Sequence, residues 1–154
     1  MRYQTETGII LKGNLDRAEI MQVVDGNPGS VDFPAETLLQ FHKDNPGIVY
    51  CLAHTHPPQM YNLSKRDQLT LKAWAITFSP YPARISTIAH VEGDVFRVSI
   101  YLGILETKEA WIARGKEGNR KFEIIPETSY DISSFSQDLL PWERIIINKS
   151  YHID

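Results

Sequence analysis

The sequence lacks the features that mark disulfide-rich, secreted and membrane proteins. Its 154 residues include one cysteine, Cys51, which excludes a disulfide framework and fits a reducing compartment. No run of apolar residues approaches the roughly eighteen that a membrane-spanning helix needs. The opening residues 1–6 have no apolar centre of the kind a signal peptide contains. We therefore expect a cytoplasmic protein with no membrane partner.

Several common catalytic motifs are missing as well. The chain has no HExxH helix, no CxxC pair and no glycine-rich phosphate loop, which removes most competing enzyme classes. Its formal net charge of −3 argues against a nucleic-acid partner, because such a surface needs an excess of lysine and arginine. Cys51 lies in an apolar run that predicts a buried strand, so we interpret its thiol as core packing rather than as a nucleophile.

The composition is that of one globular domain. Hydrophobic residues make up 42% of the chain and charged residues 23%, which is ordinary for such a domain. A chain of this length can bury an apolar core without disulfides. We place the domain at residues 1–125 and treat residues 126–154 as a C-terminal extension. Trp142 and the triplet Ile145-Ile146-Ile147 in this extension need burial, either on the domain, on a second copy or on another partner.

Hydrophobic periodicity and turn residues predict alternating strands and helices. The predicted strands are residues 8–12, 18–24, 48–53, 84–89, 95–102, 109–113, 121–125 and the strand-like run 144–148. The predicted helices are residues 34–43 and about 65–75, the second with Leu71 and Trp74 on its buried side. This mixture predicts an α/β fold with a mixed sheet.

The most informative stretch runs from His54 to Asp67. Two histidines, His54 and His56, are followed by Ser64 and Asp67 in the pattern H-x-H-x7-S-x2-D. In a chain with five histidines, ten serines and nine aspartates, chance would produce this pattern in fewer than roughly one such chain in a thousand. Two histidines and a carboxylate are a ligand set of catalytic zinc, which keeps its fourth position for water.

Local structure makes this spacing suitable for a metal. Residues i and i+2 of a strand project to the same side, so a strand that leads into His54 and His56 directs both rings to one point. Pro57 ends the strand, and Ser64 is a good N-cap for the helix that follows. Asp67 lies in the first turn of that helix, where the helix dipole favours a carboxylate. The alternative is a pair of structural histidines, with Ser64 acting only as a cap.

These residues resemble the JAMM motif of the MPN-plus (JAB-domain) zinc metallopeptidases, written E…H-[S/T]-H-x7-S-x2-D. The glutamate of that family lies in a segment like E-[T/C]-G-G-I-L-x-G. Residues 6–13, ETGIILKG, match this segment without gaps and depart from it at Ile9, where a glycine is usual. The match selects Glu6 over Glu19 and Glu36, which lack the surrounding pattern.

The resemblance covers about residues 6–102 and implies an MPN/cytidine-deaminase-like domain, in which a mixed, curved β-sheet is flanked by helices. It also implies a role for each motif residue. His54, His56 and Asp67 would hold Zn²⁺, and Glu6 would take a proton from the attacking water and later deliver one to the leaving amine. Ser64 would hydrogen-bond the oxyanion.

The implied activity is that of a zinc isopeptidase of compact prokaryotic or phage type. Its substrate would be a ubiquitin-like protein or its conjugate, cleaved at the amide between the C-terminus of that protein and the target. Two alternatives stay open. One is a catalytically silent MPN-type scaffold, and the other is a zinc hydrolase that releases a small peptide or amino acid from a sulfur-carrier protein.

Overall fold

One mixed sheet organises the chain, which a computed structural model describes over residues 6–13, 19–25, 39–40, 43–44, 50–77 and 83–151. The strands within these residues are β1 (Thr7–Lys12), β2 (Glu19–Asp25), β3 (Tyr50–Thr55), β4 (Ala83–Glu92), β5 (Val95–Leu105) and β6 (Phe122–Ser133). They follow the order β2-β1-β3-β4-β5-β6. β3 and β4 are parallel, and the other neighbours are antiparallel.

The bounded helices of the described chain are α1 (Lys65–Thr77), α2 (Lys108–Ala113) and α3 (Pro141–Ser150). α1 lies between β3 and β4 in the sequence, because parallel neighbours need a crossover connection. Residues 39–40 and 43–44 are also helical, and the rest of the helix predicted at 34–43 lies outside the described residues. None of the helices in the described ranges has the length and apolarity required to cross a bilayer. The predicted α/β class with a mixed sheet is confirmed.

The sheet has an apolar cluster on each face. The cluster on the α3 side includes Ile9, Leu11, Cys51, Ala53, Ile88, Phe96, Trp142, Ile146 and Ile147. The cluster on the α1 side includes Ile10, Leu52, Leu71, Trp74, Ala75, Ala83 and Ile85. Successive residues of a strand point to opposite faces, so the even-numbered residues of β3 point towards α1. His54 therefore lies on the α1 face.

α1 agrees with the sequence prediction and packs closely on the sheet. Leu71 and Trp74 are buried, as predicted, together with Ala75. The helix approaches β5 at Gly103, where an added Cβ would lie 2.8 Å from Leu71 Cγ. Glycine thus permits the short distance between helix and strand, and this distance sets how near the first turn of α1 comes to the end of β3.

Most of the predicted strands are also confirmed. Residues 8–12 and 18–24 correspond to the antiparallel pair β1 and β2, and residues 84–89 and 95–102 to the hairpin β4–β5. The hairpin turns at Gly93, whose φ of +57° suits a glycine. β3 extends two residues beyond the predicted end, so that it includes His54, and residues 48–49 lie outside the described residues.

The strand predicted at residues 109–113 is wrong, because these residues belong to helix α2. Thr107 caps the helix, since its hydroxyl accepts a hydrogen bond from the backbone N–H of Ala110 at 3.1 Å. Trp111 and Ile112 suggested a strand, but the cap and the acidic first-turn residue Glu109 favour a helix. The strand predicted at residues 121–125, which was expected to pair with 109–113, corresponds to the start of β6. It pairs with β5.

The strand-like run at residues 144–148 is also wrong, because it forms the middle of α3. Pro141 begins the helix, and the side chain of Glu143 accepts a hydrogen bond from the backbone N–H of Leu140 at 2.9 Å. Trp142 and Ile146 are fully buried, so packing against the sheet overrides the strand preference of the isoleucines. The boundary drawn after residue 125 falls inside β6, which continues to Ser133.

Candidate metal centre

The three ligands predicted from the sequence converge at the end of β3. His54 Nε2 and His56 Nε2 lie 3.0 Å apart. Asp67 places Oδ1 2.9 Å from His54 Nε2 and Oδ2 2.8 Å from His56 Nε2. The two histidines are buried and Asp67 is partly buried. Among the described residues, this triad is the group of histidine, cysteine and acidic side chains that could hold a metal ion.

The donor set and its spacing fit a metal ion. Tetrahedral zinc with bonds of about 2.0–2.1 Å to nitrogen and oxygen keeps its ligand atoms about 3.3 Å apart. The separations of 2.8 to 3.0 Å differ from this by a few tenths of an ångström. Two ring nitrogens that face each other and one carboxylate can share protons, but a cation satisfies all three lone pairs at once. The three residues therefore form a possible metal-binding triad.

The main chain around His56 sets the direction of its ring. The backbone N–H of His56 donates to the carbonyl of Ile88 at 2.9 Å, which continues the pairing of β3 with β4 by one residue. The chain then turns at Pro57, and His56 Nδ1 lies 3.1 Å from the carbonyl oxygen of Met60. Because a carbonyl only accepts, Nδ1 carries the proton and Nε2 is directed at the triad.

Proton and metal compete at this centre. Burial alone would lower the pKa of His56, but the hydrogen bond and charge of Asp67 outweigh burial and raise that pKa above its ordinary value. For Asp67, burial alone would raise the pKa. The hydrogen bonds from His54 and His56 outweigh burial and hold the pKa of Asp67 far below its usual range. Asp67 is therefore ionised at neutral pH, and a metal ion would bind His56 Nε2 only when that nitrogen carries no proton.

Ser64 caps α1 and fixes Asp67 in the same contact. The Ser64 hydroxyl accepts a hydrogen bond from the backbone N–H of Asp67 at 3.0 Å. The Asp67 carboxylate accepts one from the backbone N–H of Ser64 at 3.1 Å. This reciprocal pair is a capping box with aspartate at the third helical position. The hydroxyl is exposed to solvent, and after accepting one hydrogen bond it can still donate its proton.

Glu6 lies on the same face as the triad. β1 runs antiparallel to β3 with Gly8 opposite His54. Glu6 lies two residues before Gly8 and interacts electrostatically with both His56 and Asp67. Glu6 is 5% exposed. Its pKa is raised to about 7, chiefly by burial, while the charge of His56 lowers it and the charge of Asp67 raises it. A carboxyl group with such a pKa both accepts and donates a proton near neutral pH.

Two residues that contact the site, Thr55 and Tyr151, were not predicted from the sequence. Thr55 accepts a hydrogen bond from the backbone N–H of Thr7 at 3.0 Å and lowers the pKa of Glu6 through a further hydrogen bond. Its position between two ligands was a usable signal. The Tyr151 hydroxyl lies 2.9 Å from the carbonyl oxygen of His56 and 2.8 Å from that of Ile88, and its single proton is shared between these two acceptors. It lies far outside the motif, and nothing local in the sequence points to it.

Cys51 has the structural role that the sequence predicted. It is buried in the cluster on the α3 face. Burial raises the pKa of its thiol to about 12, although the charge of Arg84 opposes this rise. A thiol with such a pKa stays protonated at neutral pH, and the thiolate is the nucleophilic form. The residue therefore packs in the core and takes no part in the chemistry of the triad.

Comparisons with known proteins identify no family for the chain. No protein-family model matches the sequence, and no curated protein matches it. A functional assignment therefore rests on the geometry of the triad and Glu6, and on the resemblance of residues 6–13 and 54–67 to a known motif.

Proposed function

We propose that the chain is a zinc-dependent peptidase or isopeptidase that hydrolyses the amide between the C-terminus of a ubiquitin-like protein and its target. The observation that carries the proposal is the convergence of His54, His56 and Asp67 with a buried carboxyl group, Glu6, on the same face of the sheet. This is the arrangement that the motif resemblance requires. Glu6 lies directly before β1, His54 and His56 lie at and just after the end of β3, and Asp67 lies in α1.

The donor set supports zinc in particular. Two imidazole nitrogens and one carboxylate oxygen suit a four-coordinate zinc with an open position, whereas magnesium and calcium prefer oxygen ligands alone. When bound, zinc would polarise the amide carbonyl and lower the pKa of water to around 7. The Nδ1–H of His56 on the Met60 carbonyl is the kind of outer contact that orients a histidine ligand.

Glu6 would transfer the proton that the reaction needs. Its carboxylate takes a proton from the attacking water as the new C–O bond forms. The resulting carboxylic acid then gives that proton to the amide nitrogen as the C–N bond breaks, so Glu6 returns to its starting state. A pKa close to the working pH is optimal for this double role, and the burial of Glu6 supplies it.

Ser64 would stabilise the oxyanion of the tetrahedral intermediate. Its hydroxyl accepts from the backbone of Asp67, and the residue is exposed to solvent, so the hydroxyl proton is available to a substrate oxygen. The N-terminus of α1 adds partial positive charge at the same place. Capping and catalysis are therefore compatible roles for this serine.

A metal analysis joined to a cleavage assay tests the proposal. Purified protein should contain about one zinc ion per chain and should hydrolyse ubiquitin-like proteins that carry a C-terminal aminomethylcoumarin amide. Chelation should stop the reaction and added zinc should restore it. Glu6→Gln should retain zinc and lose about 100- to 10,000-fold in turnover.

Glu19→Gln is the matched control, since Glu19 is an exposed glutamate of β2 that lies 3.8 Å from Lys12. This variant should keep full activity. Protein that takes up no zinc under metal-replete conditions would refute the proposal. Zinc without hydrolysis of any conjugate would favour the scaffold alternative, and release of small adducts alone from a carrier protein would favour the third function.

A further inference from the structure

Tyr151 closes a gap in the pairing of β3 with β4. In a regular parallel ladder, the bond from His56 N–H to the Ile88 carbonyl is followed by one from His90 N–H to the His56 carbonyl. The Tyr151 hydroxyl lies at this position instead. Its oxygen is 2.9 Å from the His56 carbonyl oxygen and 2.8 Å from that of Ile88, and it takes a hydrogen bond from the backbone of His90.

The hydroxyl is held there by the packing of α3. Tyr151 follows the last turn of the helix, and its backbone N–H donates to the Ile147 carbonyl at 3.1 Å. The side chain is 4% exposed, and its ring packs on Phe96 with centroids 4.8 Å apart. Trp142 and Ile146 of the same helix are fully buried. The hydroxyl therefore comes from a rigid element on the face opposite the triad.

The gap exists because of the metal ligand itself. Pro57 and Pro58 have no N–H to donate, and the chain pairs with β4 again only at Gln59, whose backbone N–H donates to the His90 carbonyl at 2.9 Å. The ladder is therefore irregular at the point where the His56 carbonyl needs a partner. An unpaired carbonyl at this depth would carry a desolvation penalty of roughly 1–3 kcal/mol. The ring of Pro57 fixes its φ, so the peptide that joins His56 to Pro57 cannot turn alone to find another partner. A shift of the main chain would move the Cα of His56, which carries the imidazole.

We infer that Tyr151 is a positioning residue of the metal centre, whose hydroxyl fixes the main chain of His56 so that Nε2 stays directed at His54 and Asp67. The inference rests on the proposed metal function. It gives the C-terminal helix, which lies beyond the part of the chain that resembles the JAMM family, a role in the site. The helix acts through the backbone, and Tyr151 itself does not touch the ligand atoms.

Removal of the hydroxyl alone tests this role. Tyr151→Phe keeps the ring on Phe96 and should fold, with unchanged circular dichroism. Its affinity for Zn²⁺, measured by competition with a chromophoric chelator, should fall about 10- to 100-fold, as for other outer contacts of metal ligands. The absorption spectrum of the Co²⁺ form should change as well, because it reports the ligand geometry directly.

The matched control is Tyr130→Phe. The Tyr130 hydroxyl donates to the Glu143 carboxylate and so also fastens α3 to the sheet, but it does not contact the backbone of a metal ligand. This variant should lower the unfolding temperature and leave the Zn²⁺ affinity unchanged. The zinc-induced rise in unfolding temperature gives a second readout, which remains usable if Tyr151→Phe is only marginally stable.

The outcomes separate the inference from the proposed function. Equal Zn²⁺ affinity in wild type and Tyr151→Phe would overturn the inference and leave the function intact. An equal loss of affinity in Tyr130→Phe would also overturn it, because general anchoring of α3 would then explain the effect. A wild-type protein that does not bind zinc would overturn the function, and the inference with it.

Discussion

α1 and α3 lie on opposite faces of one sheet and support the site in different ways. α1 buries three residues, Leu71, Trp74 and Ala75, and brings a charged ligand, Asp67, to the triad. α3 has fully buried Trp142 and Ile146 and brings a neutral hydroxyl to the back of β3. α1 contributes one side chain of the possible metal-binding triad. The end of α3 contributes a contact to the main chain of His56.

The comparison shows where a small domain can place buried charge. Glu6, His54, His56 and Asp67 are gathered on the α1 face, where the first turn of the helix stays partly open to solvent. Burial of ionisable groups is unfavourable unless they are paired. Glu143 on the α3 face is buried too, and it accepts hydrogen bonds from Tyr130 and from the backbone of Leu140 beside an apolar cluster that offsets the cost. Each fully buried large side chain of that cluster stabilises the fold by about 1.5–3 kcal/mol.

The largest expected effect is loss of the metal on the α1 face. His54→Ala removes one of three ligand atoms, and zinc content and hydrolysis should both disappear. Far-ultraviolet circular dichroism should change little, because His54 belongs to neither of the two apolar clusters that hold the helices on the sheet. His90→Ala is the control, since His90 contacts the Gly93 carbonyl at 2.7 Å and not the triad. Full zinc retention by His54→Ala would remove His54 from the ligand set.

The next effect concerns stability on the α3 face. Trp142→Ala should lower the free energy of unfolding by about 3–5 kcal/mol, because it opens a large cavity beneath the helix. Leu69→Ala on α1 is the control, since this side chain is 69% exposed and its loss should change stability by less than about 0.5 kcal/mol. Urea denaturation measures both. Similar losses of stability in the two variants would mean that the buried Trp142 of α3 stabilises the fold no more than the exposed Leu69 of α1.

Ser64 separates the two roles within α1. Ser64→Gly removes the hydroxyl but keeps most of the capping free energy. Turnover should fall by about 100- to 1,000-fold, as for one lost oxyanion donor, with little change in the unfolding midpoint. Ser64→Thr keeps a hydroxyl and should retain much of the activity. A loss of turnover that only follows the loss of stability across the two variants would reduce Ser64 to a helix cap.

The smallest effect is a pH dependence of the metal-free protein. The pKa of Glu6 is about 7 in the fold against an ordinary value of 4.5, so folding favours the protonated form. Its contribution to stability is complete below about pH 4.5 and is lost as the pH rises through about 7. The neutral substitute Glu6→Gln should therefore be more stable than wild type above pH 7, by at most about 3 kcal/mol.

Below pH 4.5 the two metal-free proteins should unfold at the same denaturant concentration. Because Glu6 interacts electrostatically with His56 and Asp67, the difference between the two curves reports the ionisation of Glu6 together with its effect on these two neighbours. A difference in stability that is the same at all pH values would mean that folding does not change the pKa of Glu6.

The site was predictable because its signals are local. The H-x-H spacing at the end of an apolar strand, the cap at Ser64 and the first-turn Asp67 each follow from short-range geometry, and the described triad agrees with them. The distant Glu6 was assigned only through the resemblance. In the structure it lies two residues before Gly8, the partner of His54, and interacts electrostatically with His56 and Asp67.

The C-terminal part was not predictable in the same way. Ile145 to Ile147 have the composition of a strand, and burial against β1 and β3 makes them helical. The strand predicted at residues 109–113 was wrong for a different reason. Trp111 and Ile112 favour strands, but the cap at Thr107 favours a helix, none of whose residues is buried. Tyr151 left no trace in the sequence, because its partners are backbone atoms 63 and 95 residues away.

The capping box has a kinetic consequence for the metal. Asp67 is held by the first turn of a helix, whereas His54 belongs to a strand at the centre of the sheet. Helix ends open locally at far lower free energy than central strands. If the triad binds a metal ion as proposed, Asp67 would be the ligand that departs first, and the fraying rate of one helical turn would set how fast the ion exchanges. Amide hydrogen exchange at Ser64 to Asp67 should slow when the ion binds.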